Sequence, residues 1–181
     1  MLRAMIEAGE SFENPRSGTR MEFREFTPER VVIDRTYPPD SGRADPHVHF
    51  DFSQSWELLS GKARYFIEGE EREARAGEMI EIEPGTRHQD VHNPSEAELR
   101  ARLTVGPTNE FIEAFADCYT HYLTRDRLNR QDEFKPLQLF PILRATKAQS
   151  WIASIPIPLQ KLLIPVGALS GRLRGYRARY S

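Results

Sequence analysis

Gly77-Glu78-Met79-Ile80-Glu81-Ile82-Glu83-Pro84-Gly85-Thr86-Arg87-His88 is the stretch whose reading decides the fold. Ile80 and Ile82 alternate with Glu81 and Glu83, the period of a half-buried antiparallel strand. Pro84-Gly85 supplies a tight turn, and His88 opens the next strand. Outward from it, residues 21 to 105 read as short runs of β-branched and aromatic residues. They are broken at Pro38-Pro39-Asp40-Ser41-Gly42, Ser60-Gly61, Glu68-Gly69-Glu70, Ala76-Gly77 and Asn93-Pro94. Turn signals near every ten residues predict a sandwich or barrel. Ala63, Tyr65 and Ile67 alternate with Lys62, Arg64 and Glu68, and Phe66 breaks the pattern.

Upstream, His47 and His49 form an H-x-H pair, which on a strand puts both rings on one face with Cα atoms about 6 to 7 Å apart. With His88 they make a plausible ligand set for one metal ion. A hydrogen-bonded, metal-free histidine cluster is the structural alternative. His92 lies four steps past His88, on the same face of a regular strand but about 13 Å away, and reads as a rim residue. His121 falls in a helical pattern and reads as a surface or interface histidine.

These residues resemble the cupin superfamily. Its first motif, H-x-H, four residues, Glu, six residues, Gly, is met by His47, His49 and Gly61, with Gln54 in the glutamate slot. Its second, Gly, five residues, Pro, x, Gly, two residues, His, three residues, Asn, is met by Gly77, Gly85 and His88; Glu83 stands in the proline slot beside Pro84, and His92 in the asparagine slot beside Asn93. Glu13-Asn14-Pro15, the trailing helices and the closing Leu-Arg-Gly-Tyr-Arg look like a group of small bacterial cupins with no settled activity. The resemblance implies a mainly β fold, a double-stranded β-helix or jelly-roll barrel with C-terminal α-helices. It also implies one divalent metal (Fe, Mn, Ni or Zn) near the barrel centre, held by His47, His49, Gln54 and His88.

Gln54 is a neutral donor, so a three-His, one-Gln site carries one more positive charge than its three-His, one-Glu counterpart. Glu57 or water are the other candidates for that position; by alternation Gln54, Trp56 and Leu58 point inward and Glu57 outward. Trp56 and Tyr65 are the expected pocket lining for a small-molecule substrate. Three functions fit: a metal-dependent, dioxygenase-like oxidoreductase; a Lewis-acid isomerase, lyase or hydrolase; and a non-catalytic ligand-binding module, for which the lack of a clear general base beside the histidines speaks.

After Pro107 the period changes. Phe111, Ile112, Phe115, Cys118, Tyr119, Tyr122 and Leu123 recur every three or four residues, with Thr108 or Asn109 as N-cap and Glu110 in the first turn, which predicts an amphipathic helix. One or two more are expected over 136–170, cut by Pro141, Pro156, Pro158 and Pro165. The predicted division is a barrel with an N-terminal arm over 1–107 and a helical extension over 108–181, packed on the barrel or at a dimer interface. With 181 residues and 39% hydrophobic side chains, there is core for one domain but hardly two.

A net charge of −2 offers no field for nucleic acid, and no helix-turn-helix is evident. One cysteine, Cys118, excludes an internal disulfide, and the N-terminus lacks an apolar signal core, so a cytoplasmic location is expected. The longest uncharged run, 148–160, contains Pro156 and Pro158 and is too short for a membrane span. No acidic residue follows Glu133, so the last 48 residues carry +8 and the rest −10. The simplest reading lays this basic segment on the acidic body or on a second copy, and a homodimer is expected; a partner or a membrane surface is the sharper reading.

Overall fold

The computed structural model describes residues 6–42, 45–128 and 133–180; the first five residues of the N-terminal stretch, read above for a signal, lie outside them. Strands β1 (Ser11–Glu13), β2 (Arg20–Phe26), β3 (Val31–Tyr37), β4 (His47–His49), β5 (Ser53–Ser60), β6 (Lys62–Ile67), β7 (Glu70–Arg75), β8 (Met79–Ile82), β9 (His88–His92) and β10 (Leu99–Gly106) precede helices α1 (Glu110–Leu123) and α2 (Pro136–Ala145), strand β11 (Ser150–Ile152) and helix α3 (Ile157–Leu173). They form two antiparallel sheets, one of six strands in the order β1-β2-β3-β10-β5-β8 and one of five in the order β11-β4-β9-β6-β7. This is the jelly-roll architecture with C-terminal helices.

Local chemistry explains the hairpins. Between β6 and β7 the two-residue turn Glu68-Gly69 has φ of 52° and 85°, the doubly left-handed pair that matches the twist of the flanking strands. Alternation fixes the faces: Trp56 and Leu58 on β5, Ala63 on β6 and Ile80 and Ile82 on β8 all enter one inner core with Tyr37, Val91, Leu99 and Ala101. Glu57 points the other way and faces Arg102 at 3.7 Å. On the same outer surface Asp34 accepts from both Arg24 and Arg102 at 2.7 Å.

Strand β9 departs from regularity. Gln89 pairs with Phe66 but His92 pairs with Arg64, so three steps on β9 answer two on β6 and β9 carries one extra residue. The bulge ends in Asn93, which is fully buried and donates through Nδ2 to the carbonyls of Tyr37, Pro38 and Ala97. The asparagine expected four positions after His88 thus sits five positions after it, with the bulge absorbing the offset.

The extension is continuous with the barrel. Asn109 caps α1 by accepting from the amides of Phe111 and Ile112. Phe23, Val31, Phe52 and Val105 of the barrel share one hydrophobic core with Phe111, Ile112 and Cys118 of α1, Ile142 of α2 and Ile164 of α3. Pro141 and Pro165, expected to cut helices, lie inside α2 and α3; each removes a backbone hydrogen bond, a cost of about 3 kcal/mol that helix–helix packing offsets here. The extension also holds a strand the sequence reading missed: β11 pairs with β4, setting Ser150 opposite His49 and Ile152 opposite His47. Among the described residues, the only ion pair from the basic segment to the acidic part of the chain is Arg179 to Glu113 at 3.0 Å. His121 stacks on Tyr180 with ring centroids 3.9 Å apart, fastening the chain end to α1.

Candidate metal centre

His47 and His49 project from β4, and His88 enters from β9 directly opposite His47. The ring centroids of His47 and His88 are 4.2 Å apart, those of His49 and His88 4.9 Å. The ligand-capable nitrogens of the three all lie within 4.8 Å of one another, close enough for a single ion to touch all three. Each ring is oriented by a backbone carbonyl. Nδ1–H of His47 donates to Asp45 O at 2.9 Å, that of His49 to Phe52 O at 2.7 Å, and that of His88 to Thr86 O at 2.9 Å. A carbonyl only accepts, so the proton is on Nδ1 and the Nε2 lone pairs are left to converge. Among the described residues, Nε2 of His49 and of His88 are buried with no hydrogen-bond partner. Two unsatisfied buried acceptors side by side are costly in a fold with no use for them, and they are what a divalent first-row cation needs. The donor set therefore fits such an ion.

Electrostatics keeps the rings ready. Burial, reinforced by the neighbouring His88 and His47, lowers the His49 pKa to about 4, so its imidazole is neutral near pH 7. Burial likewise lowers His88, with His47 next in effect. A neutral imidazole is the ligating form.

Gln54 is buried and in the same interior, and its Nε2 donates to Asp90 Oδ1 at 2.5 Å. Asp90 is the residue the sequence reading passed over. It stands 4.0 Å from His88 Nε2 with its side chain 22% exposed. Burial by itself raises the Asp90 carboxyl, but His47, His88, the Gln54 amide and Arg35 together hold it below the usual range. The site thus has a carboxylate after all, supplied from β9 instead of β5. The signal was the one-residue offset between His88 and Asn93: the added residue turns the strand at Asp90 and Val91. It also turns His92 away from the face of His88, so that His92 meets Asp40 at 3.4 Å and lines a concavity of about 200 Å³ with Arg64, Phe66, Glu71 and Asp90.

Trp56 is fully buried in the inner core, 6.3 Å from the Tyr37 ring, and Tyr65 is half-buried against that core. Arg35, unremarked in the sequence, lies 4.9 Å from the ring centres of both Tyr37 and Tyr119 and donates to the Tyr119 hydroxyl at 2.5 Å. Through Tyr119, helix α1 reaches a cation that acts on the Asp90 carboxylate.

Residues 34–106 match the cupin domain family. That stretch contains all three histidines, Gln54 and Asp90. Solved structures similar to the chain include an uncharacterised conserved protein with a double-stranded β-helix domain from Klebsiella pneumoniae, 24% identical over 54% of this chain and 85% of that one, with a TM-score of 0.47. KdgF from a Halomonas species is 17% identical over 61% of this chain and 97% of its own, with a TM-score of 0.49. A cupin 2 conserved barrel domain protein from Salinispora arenicola is 19% identical over 64% and 96%, with a TM-score of 0.44. No curated protein matches the sequence.

Proposed function

We propose that this chain is a metal-dependent enzyme acting on a small organic molecule, in which His47, His49 and His88 hold one divalent ion (Fe, Mn, Ni or Zn) and Asp90 is the adjacent proton acceptor. The convergence of unpartnered Nε2 atoms carries the metal assignment. A bound divalent ion would supply Lewis-acid polarisation of a substrate oxygen. Asp90 would accept a substrate proton at its carboxylate, Gln54 holds that carboxylate in place, and Arg35 between its two tyrosine rings offers charge for an anionic substrate group. Gln54 remains a candidate fourth ligand through its oxygen. Tyr65, half-buried, is the wall of the proposed pocket; Trp56, with no exposed surface, is core and not the lining expected from the sequence.

The carboxylate beside the histidines favours an isomerase, lyase or hydrolase over the dioxygenase-like reading, and it removes the main support for a purely ligand-binding module. Turnover that survives replacement of iron by redox-inert zinc is the expected result; activity confined to iron or manganese returns the assignment to oxygen chemistry. A ligand recovered unchanged after long incubation with metal-loaded protein supports the binding module instead. The reading includes a cytoplasmic homodimer; a monomer at micromolar concentration in sedimentation contradicts that part.

A further inference from the structure

Helix α3 is apolar on two opposite faces. The inner one is locked by small residues: a Cβ on Gly167 would come within 2.5 Å of the Phe140 ring, and one on Gly171 within 2.7 Å of the Leu137 carbonyl oxygen. Helix α2 therefore lies directly on that face, and Ile164 and Ala168 are buried there. Gln160 adds a second lock, accepting from the Ile152 amide and donating to the carbonyls of Ile152 and Ile155. With its rotation so fixed, the helix turns Leu159, Leu162, Leu163, Val166, Leu169 and Leu173 outward, each between 42% and 81% exposed. Spaced three or four apart, they form one exposed apolar stripe along the helix, the kind of patch that marks an interaction site.

Charge decides what covers it. Arg144, Lys147, Lys161, Arg172, Arg174 and Arg177 are exposed, and among the described residues none of them pairs with a carboxylate. Packing α3 against α3 of a second copy brings two such sets of unpaired cations together and leaves both uncompensated. An anionic lipid surface answers the stripe and the cations at once. The helix has 17 residues, and no helix among the described residues is long and apolar enough to cross a bilayer, so it would lie in the interface.

We propose that α3 is a peripheral-membrane docking face, its leucine stripe entering the acyl boundary of an anionic leaflet while the surrounding Lys and Arg side chains hold lipid phosphates. Flotation of the full chain with vesicles of phosphatidylcholine, alone or with phosphatidylglycerol, tests this. Anionic vesicles are expected to carry on the order of tenfold more protein than neutral ones, and the difference to shrink in high salt. Leu162→Glu with Val166→Glu, both at exposed positions, is expected to lower the bound fraction about tenfold without altering the circular dichroism or melting of the chain. Arg172→Gln with Arg174→Gln is expected to abolish the preference for anionic lipid, and it serves if the first pair unfolds. No flotation with either vesicle, flotation indifferent to both variant pairs, or a dimer that the Leu162/Val166 pair dissociates, which puts a second copy on the face, overturns the proposal.

Discussion

The barrel interior around His88 and the outer face of α3 are opposite exceptions to the same rule. In the first, polar atoms are buried and left without protein partners; in the second, large apolar side chains stand in water. Either exception costs stability in an isolated chain, and each is maintained by rigid local structure: backbone carbonyls that fix three imidazoles, and a glycine face that fixes the rotation of a helix. The comparison teaches where function sits in this molecule. One exception has the chemistry that a cation would satisfy, the other a face that a surface would cover, and ordinary packing connects them, since β11, the strand that leads into α3, is hydrogen-bonded to the histidine strand β4.

The contrast can be broken by substitution. Trp56, with no exposed surface, is core; Trp56→Ala should cost about 3–5 kcal/mol in urea unfolding, whereas Leu169→Ser, on a side chain 61% exposed, should fall within about 0.5 kcal/mol of the parent. Comparable losses at the two positions would mean that the α3 face is packed in the free protein. Next in size is acid sensitivity. Unfolded His49 takes up a proton below about pH 6.5, and the folded residue refuses it until about pH 4, so the metal-free protein is at full stability above that window and loses up to about 3 kcal/mol as pH falls through it. Urea unfolding at pH 7 and 4.5 measures this, and a stability unchanged across the window would show His49 protonated in the fold. A smaller effect is expected at the carboxylate: Asp90→Asn should weaken metal binding about tenfold in a chelator competition, and Gln54→Glu should perturb it by no more than that. If Asp90→Asn left the affinity untouched and Gln54→Ala abolished it, Gln54 would be the fourth ligand and Asp90 only its anchor.

Much of this was legible because it is local. H-x-H on a short strand and a Pro-Gly turn ahead of His88 are sequence patterns whose geometry follows from strand period and turn chemistry, and the faces of Trp56, Leu58 and Glu57 follow from alternation. What was not legible depended on pairing between distant segments. The bulge that brings Asp90 inward and sends His92 out is visible only once β9 is laid against β6. Arg35 and Tyr119 are 84 residues apart, and nothing near either names the other. Strand β11 is three residues in an uncharged run, too short for a period to show. The basic segment was seen, but the exposure of the α3 leucines beside it follows from which face of the helix carries Gly167 and Gly171.

The central claim rests on three converging imidazoles, and elemental mass spectrometry of the full chain, purified without chelator or nickel resin, alongside His88→Ala tests it most directly. The account predicts close to one divalent first-row metal per chain, lost in His88→Ala by more than about a hundredfold in affinity while the fold is retained. Wild-type protein that is empty as purified and refuses added iron, manganese, nickel and zinc would contradict it.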